Sequence, residues 1–202
     1  MENEFPVEIE RKFRVLCIPI NLQNNTHLRQ WYIPSSMIEY NTKITLNKLE
    51  LISDVKAEWQ SKVCELINLG NTTIRIRLDN DAAILCIKGK SNGISRIEFE
   101  WELHNYRLVE ELLVESNWPM VEKRRWKIMA EDGYLWELDQ FLGLNEGLWL
   151  TEIELGDEND EFLRPSWVGE EVSHDRRFSS KRLAKTPYIE FKEGQLRPLR
   201  KC

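Results

Sequence analysis

The segment Glu8-Ile9-Glu10-Arg11-Lys12-Phe13 sets two carboxylates and an ammonium at alternate positions. Alternate side chains of an extended strand share a face, so Glu8, Glu10 and Lys12 project together. Carboxylates are hard oxygen ligands suited to Mg2+ or Mn2+, and a lysine beside them offers a point charge to phosphate. One strand thus carries both halves of a metal and phosphate site. The same spacing also fits a solvated ladder of Glu and Lys, so the segment alone leaves both readings open.

The spacing recurs along the chain. In Thr73-Ile74-Arg75-Ile76-Arg77-Leu78, Arg75 and Arg77 take one face and Ile74, Ile76 and Leu78 the other. Ile84-Leu85-Cys86-Ile87-Lys88 is apolar almost throughout and ends in a lysine, and Gly89 to Gly93 reads as a hairpin turn. No GxxxxGK[ST] pattern follows, so this is not a phosphate-cradling loop. Arg96, Glu98, Glu100 and Glu102 alternate strictly with Ile97, Phe99, Trp101 and Leu103. Lys123, Arg125 and Lys127 share a face, and a turn at Glu131-Asp132-Gly133 leads to the pairs Glu137 with Asp139 and Glu152 with Glu154. Many strands of this kind predict an antiparallel sheet that curls or closes. Alternation does not say which face is inside, and charges in water are the commoner arrangement.

The chain has 202 residues and a formal net charge of −6, enough length for one domain with a sizeable core. With a pI of about 5.3, its far field repels nucleic acid and anionic membranes, so neither is expected as a partner. An anionic substrate must meet a locally cationic interior. No apolar stretch is long enough to span a bilayer and the first residues lack the features of a signal peptide, which predicts a cytoplasmic protein. Cys17, Cys64, Cys86 and Cys202 are scattered without CxxC spacing, and they are expected to be reduced and structural.

Taken in order, these segments resemble the CYTH superfamily, the triphosphate tunnel metalloenzymes. The ExExK strand is followed by Gln30-Trp31-Tyr32-Ile33, similar to the family's Gln-Gly-Tyr-Leu, and then by its paired arginines at Arg75 and Arg77 and its strand-ending lysine at Lys88. Arg96, Glu98 and Glu100 match Arg-x-Glu-x-Glu, Lys123 and Arg125 match Lys-x-Arg, and Glu137 with Asp139 matches Trp-Glu-x-Asp. Glu152 and Glu154 match Glu-Ile-Glu-Leu, and residues 165–172 and 179–184 resemble the closing region. The resemblance implies an α+β fold: a closed antiparallel β-barrel of about eight strands around a charged tunnel, with helices outside. The domain would span residues 1–190 with an inserted segment at 34–71, and residues 191–202 read as a basic, mobile tail.

The resemblance also implies a hydrolase that cleaves a triphosphate, inorganic tripolyphosphate first, to diphosphate and orthophosphate with Mg2+ or Mn2+. Lys12, Arg75, Arg77, Lys88, Lys123 and Arg125 would form the phosphate clamp. Glu8, Glu152 and Glu154 would hold mainly one metal ion and Glu98, Glu100 and Asp139 a second, with Glu10 beside them. Lys12 with Tyr32 is the candidate pair for orienting or deprotonating water. A class IV adenylate cyclase, a thiamine triphosphatase and a noncatalytic polyphosphate-binding module are the alternatives. Oligomeric state is not readable.

The supporting elements follow from periodicity. In the insert, Ser53 and Asp54 are placed to cap a helix with Val55, Trp59, Val63 and Ile67 on one face and a stop at Gly70, while residues 37–52 read as extended. Trp31 replaces the family's glycine and should face outward against this insert. Apolar spacing predicts a helix over residues 105–116 and shorter ones over 160–164 and 176–184. Such helices would cover Trp101, Trp126 and Trp136 and leave the charged faces inside.

Overall fold

The computed structural model describes residues 5–70, 72–191 and 199–202. In chain order, β1 is Val7–Val15, β2 Thr26–Ile33, β3 Ile38–Asn41, β4 Lys43–Leu46 and β5 Leu49–Ile52, followed by helix α1 at Ala57–Asn68. Then come β6 at Thr73–Leu78, β7 at Ala83–Lys88, β8 at Ser95–Leu103 and helix α2 at Tyr106–Glu115. The remainder is β9 at Met120–Met129, β10 at Leu135–Phe141, β11 at Trp149–Glu154, β12 at Val168–Glu171 and the one-turn α3 at Ser180–Leu183. All the paired strands with assigned register run antiparallel, as expected for strands that alternate charge with apolar bulk. No helix among the described residues is long and apolar enough to cross a membrane.

The chain divides into two compact units. Among the described residues the first holds 5–7, 29–92 and 96–120, with the strand order β2-β6-β7-β8. Its apolar face carries Trp31, Ile33, Ile74, Ile76, Leu85, Ile87 and Phe99, all buried in one cluster with Ile44 and Leu46 of the insert and Val63, Val109 and Leu113 of the two helices. Trp31 therefore packs outward against the insert as its strand parity predicts. The insert is more ordered than the sequence suggests: β3, β4 and β5 form a separate three-stranded sheet. Asn47 and Lys48 both take left-handed backbone angles, φ 48° and 69°, as a two-residue hairpin loop between Leu46 and Leu49 requires.

Helix α1 starts later than expected. Lys56 stands at its N-cap without a side-chain cap, so Ser53 and Asp54 do not cap it. The entry is fixed instead by Val55, which is fully buried and whose carbonyl accepts a hydrogen bond from the Gln60 side chain at 3.0 Å. The helix ends before Gly70, whose φ of +67° is open to a residue without a Cβ.

The second unit holds residues 8–28, 93–95 and 121–202, with strand order β9-β10-β11-β1-β12. Its core gathers Phe13, Trp126, Trp136, Leu138, Ile153 and Trp167. Trp126 and Trp136 are covered by aromatic side chains and not by helices, a correction to the sequence reading. Trp126 stacks on Trp149 at 5.5 Å between ring centroids, and Trp136 meets Phe162 at 5.7 Å and Trp167 at 5.9 Å.

Residues 160–164 form no helix. Pro165 disfavours helical geometry in the residue before it, and the local amides find side-chain acceptors: Asp160 Oδ2 accepts from Gly156 and Asp157, and Asp132 Oδ2 accepts from Leu163 at 2.6 Å. The expected helix over 176–184 is broken in two. Ser179 is extended and caps α3 through its side chain, ending the 3-10 turn Arg176–Phe178 before it.

Cys17 and Cys202 are disulfide-bonded, with their Cα atoms 5.6 Å apart, while Cys64 and Cys86 are free. The expectation of four reduced cysteines is thus overturned for two of them. Spacing misses the pair because its partners are 185 residues apart. The expected mobile tail is corrected at its end too: Lys201 bridges Ile18 in parallel, with Ile18 N donating to Arg200 O at 2.8 Å and Cys202 N to Ile18 O at 3.0 Å. The rest of that tail, residues 192–198, lies outside the described residues.

Because Ile44 is fully buried, the insert belongs to the core of its unit. Ile44→Ala is expected to lower unfolding stability by about 2–5 kcal/mol. Lys43→Ala, which removes only an exposed ion pair with Glu50, should change it by less than about 1 kcal/mol. Urea denaturation followed by tryptophan fluorescence compares the two, and equal effects would show that the insert is not part of the core.

Candidate active site

Register builds the charged face of the second unit. Lys12 lies opposite Glu152, Glu152 opposite Glu137, Arg125 opposite Asp139 and Glu10 opposite Glu154, and residues directly opposite one another share a face. At the centre stands Asp139, with no exposed surface. Arg125 grips it with both arms, Nε to Oδ1 at 2.7 Å and Nη2 to Oδ2 at 2.6 Å, the bidentate geometry that makes an arginine–carboxylate pair strong. Lys123 Nζ donates to Oδ2 of the same aspartate. Arg125 also reaches Glu152 at 2.9 Å and Glu137. Lys12 Nζ lies 2.8 Å from Glu152 Oε1 and 3.2 Å from Glu10 Oε1.

The ionisation of these groups follows from burial and partners. Burial works against a charged Glu152, yet Lys12, Lys123 and Arg125 together hold its carboxyl well below the usual carboxylate range. Burial also opposes charge on Arg125, and Asp139 and Glu152 outweigh it, so the guanidinium is held well above its ordinary value. Lys123 goes the other way. Desolvation first, and then the neighbouring Arg125, lower its pKa even against Asp139.

The first unit repeats the design. Tyr32 lies opposite Arg75, Arg75 opposite Cys86 and Cys86 opposite Glu100. Gln30 faces Arg77 and Lys88 faces Glu98 on the neighbouring rows. Arg75 Nη2 donates to Glu100 Oε1 at 3.0 Å and stands 3.8 Å from Glu98 Oε1. Lys88 pairs with Glu98, and the Cys86 thiol donates to Glu98 Oε1 at 2.9 Å. Burial pushes that thiol up, which keeps it a neutral donor. Burial opposes charge on Arg75, but the carboxylates of Glu98 and Glu100 are among the neighbours that raise its pKa above the ordinary value.

The odd-numbered side of β1 does different work. Arg11 forks onto Glu171 of β12 and lies 5.2 Å from the Phe162 ring centroid. Ser173 Oγ accepts from the Lys12 amide at 2.9 Å and donates to Glu171 Oε1 at 2.8 Å. The Arg11 hydrogen bond, against partial burial, holds Glu171 below the usual range. These contacts fix the strand from which Glu10 and Lys12 project.

Of the expected site residues, Tyr32, Arg75, Arg77, Lys88, Glu98 and Glu100 thus share one strand face in the first unit. In the second, Lys12, Arg125, Glu152 and Asp139 join in one network with Glu10 and Lys123, and Glu154 lies exposed at its rim. Glu8 sits half-buried at the same parity of β1. Three groups were missed by the sequence reading of the site: Glu137, Cys86 and Gln30. Parity could have found them, since Cys86 is two residues from Lys88 and Gln30 two from Tyr32. The donor set fits a divalent cation: Cys86 Sγ and one oxygen each of Glu98 and Glu100 lie within 4.8 Å of one another, and carboxylates are the favoured ligands of hard cations.

No family model matches the chain. It is 46% identical over 121 residues to an inorganic triphosphatase of Acetivibrio thermocellus, a match covering 60% of this chain and 77% of that protein. It is 30% identical over 186 residues to an inorganic triphosphatase of Nitrosomonas europaea, covering 88% of this chain and 96% of the relative. Among solved structures, the crystal structure of an inorganic triphosphatase aligns with a TM-score of 0.53 at 27% identity, over 88% of this chain and 93% of that one.

The buried network makes stability depend on charge balance. Asp139→Asn leaves Lys123 and Arg125 in a dry site without their shared anion and should destabilise the fold by about 3–5 kcal/mol, measured by urea denaturation at neutral pH. Glu152 has a depressed folded pKa, so its contribution is fully present above its unfolded value of about 4.3 and is lost as pH falls through the lower folded value. Glu152→Gln should therefore flatten the acid side of a stability-against-pH curve. An unchanged acid limb would show that Glu152 is not held ionised by its neighbours.

Proposed function

The chain belongs to the CYTH superfamily, and on that premise we propose that it is a divalent-cation-dependent inorganic triphosphatase that hydrolyses tripolyphosphate to diphosphate and orthophosphate. The observation that carries this reading is the pair of charged strand faces, on which each buried cation is held by a carboxylate in fixed geometry. The relatives named inorganic triphosphatase support the same substrate.

Catalysis of phosphoryl transfer is mainly positioning and stabilisation of developing charge. In the first unit Arg75 and Arg77 supply donors for phosphate and Lys88 adds a point charge; in the second Lys123 and Arg125 supply donors and Lys12 adds a point charge. The arrangement of Lys12, Arg75, Lys88, Lys123 and Arg125 is set before substrate arrives, because the carboxylates that neutralise them also fix their rotamers. A divalent cation, Mg2+ or Mn2+, fits the oxygen donors of Glu98 and Glu100 and of Glu8, Glu152 and Glu154, and when bound it supplies charge neutralisation and acidifies water. Asp139, the carboxylate with no exposed surface, holds Lys123 and Arg125 with both oxygens and is assigned to positioning those cations. Lys12 orients or deprotonates the attacking water, with Glu152 at 2.8 Å holding its ammonium in place; Tyr32, on the charged face of the first unit, is the other candidate for that role.

Leaving-group charge grows as the anhydride bond breaks, so the clamp acts on the transition state as well as on binding. Arg77→Ala should lower kcat at saturating tripolyphosphate and saturating metal by about 10²-fold, and Arg77→Lys, which keeps the charge without the fork, should recover part of that loss. A rise in KM alone would make Arg77 a uniform binding residue. Product analysis with tripolyphosphate, ATP and thiamine triphosphate, each with Mg2+ and with Mn2+, tests the activity itself. Orthophosphate from tripolyphosphate is the expected result; cyclic nucleotide from ATP, or metal-dependent binding without turnover, would overturn it.

A further inference from the structure

Gln30 is 1% exposed, and its side-chain nitrogen has no hydrogen-bond partner among the described residues. A buried amide donor left unsatisfied is costly, and such groups persist where a ligand completes them. Its place is specific. Gln30 lies opposite Arg77 in the pairing of β2 with β6, one row along from Tyr32 opposite Arg75. Both side chains of each pair therefore stand on the charged face.

Resting on the triphosphatase reading, we propose that the Gln30 carboxamide is a substrate-binding group whose N–H donates to a non-bridging oxygen of the phosphate held at the Arg77 end of the clamp. The chemistry suits an anion. The amide offers two N–H donors and is uncharged, so it adds a directional contact without adding to the repulsion between neighbouring guanidinium groups. It also distinguishes a fully ionised terminal phosphate, rich in acceptor oxygens, from an esterified one that presents fewer. Gln30 is in this way a group that favours inorganic tripolyphosphate over a triphosphate carrying an organic substituent at that end.

Two near-isosteric substitutions test this. Gln30→Met keeps the shape and removes the donor; it should raise KM for tripolyphosphate roughly ten- to a hundredfold, the scale of a hydrogen bond to a charged group, while the melting temperature of the ligand-free protein stays level or rises because an unsatisfied donor is gone. Gln30→Glu turns a donor into an anion and should raise KM further than Gln30→Met. If Gln30→Met leaves KM unchanged, or lowers the melting temperature by several degrees with KM unaltered, Gln30 is a core residue and the inference fails. If both variants raise KM equally, steric fit and not donation is responsible, and the inference also fails. Wild-type protein that does not hydrolyse tripolyphosphate would instead defeat the triphosphatase reading, so the two failures are told apart by the same assay.

Discussion

A lysine with 2% of its side chain exposed and an aspartate with none remain charged in a protein interior only by neutralising one another, and much of this fold is arranged around that requirement. Desolvating an ion costs several kcal/mol even after relaxation, and a single opposite charge with ideal geometry is needed to offset it. In the second unit the offset is distributed: Asp139 takes Lys123 and both arms of Arg125, and Glu152 takes Arg125 and Lys12. The same carboxylates that make the cations tolerable also aim them. Preorganisation of the cations is thereby a by-product of solving a solvation problem, and the proposed phosphate clamp draws on it.

The apolar halves of the strands meet a different demand. In the first unit the face behind Arg75 and Arg77 is closed by α1, α2 and the small sheet of the insert, around Phe99 and Ile76. In the second it is closed by an aromatic cluster in which Trp136 touches Phe13, Phe162 and Trp167. Large rigid rings fill space with little loss of side-chain entropy, which lets an irregular segment do what helices do elsewhere. The shared strategy is one strand, two faces and two kinds of cover.

The strands and their faces were legible because alternation is a strong local signal. Glu8, Glu10 and Lys12, or Arg75 and Arg77, could be assigned to common faces with no knowledge of partners, and ordered spacing then carried the family resemblance. What could not be read depends on contacts distant in the chain. The Cys17–Cys202 bond joins residues 185 apart. The failed helix at 160–164 reflects Pro165 after it and Asp132, which takes the Leu163 amide from 31 residues away. Residue type alone groups Asp139 with the metal-binding carboxylates; that it also pairs with Lys123 and Arg125 in a fully buried position depends on β9, which its own strand does not reveal. Gln30 carries no charge, so alternation of charged residues does not mark it.

β1 has its chemistry on even residues and its anchorage on odd ones: Glu10 and Lys12 face the charged network while Arg11 and Phe13 lock onto Glu171 and Phe162. Addition or loss of a single residue there would exchange the two sets, pointing Glu10 and Lys12 into the aromatic core and the anchors into the charged network. Substitutions in this strand can be graded by what each side chain contributes, but length cannot vary at all. The strand is thus open to change of residue type and closed to insertion and deletion, a restriction that the loops around it do not share.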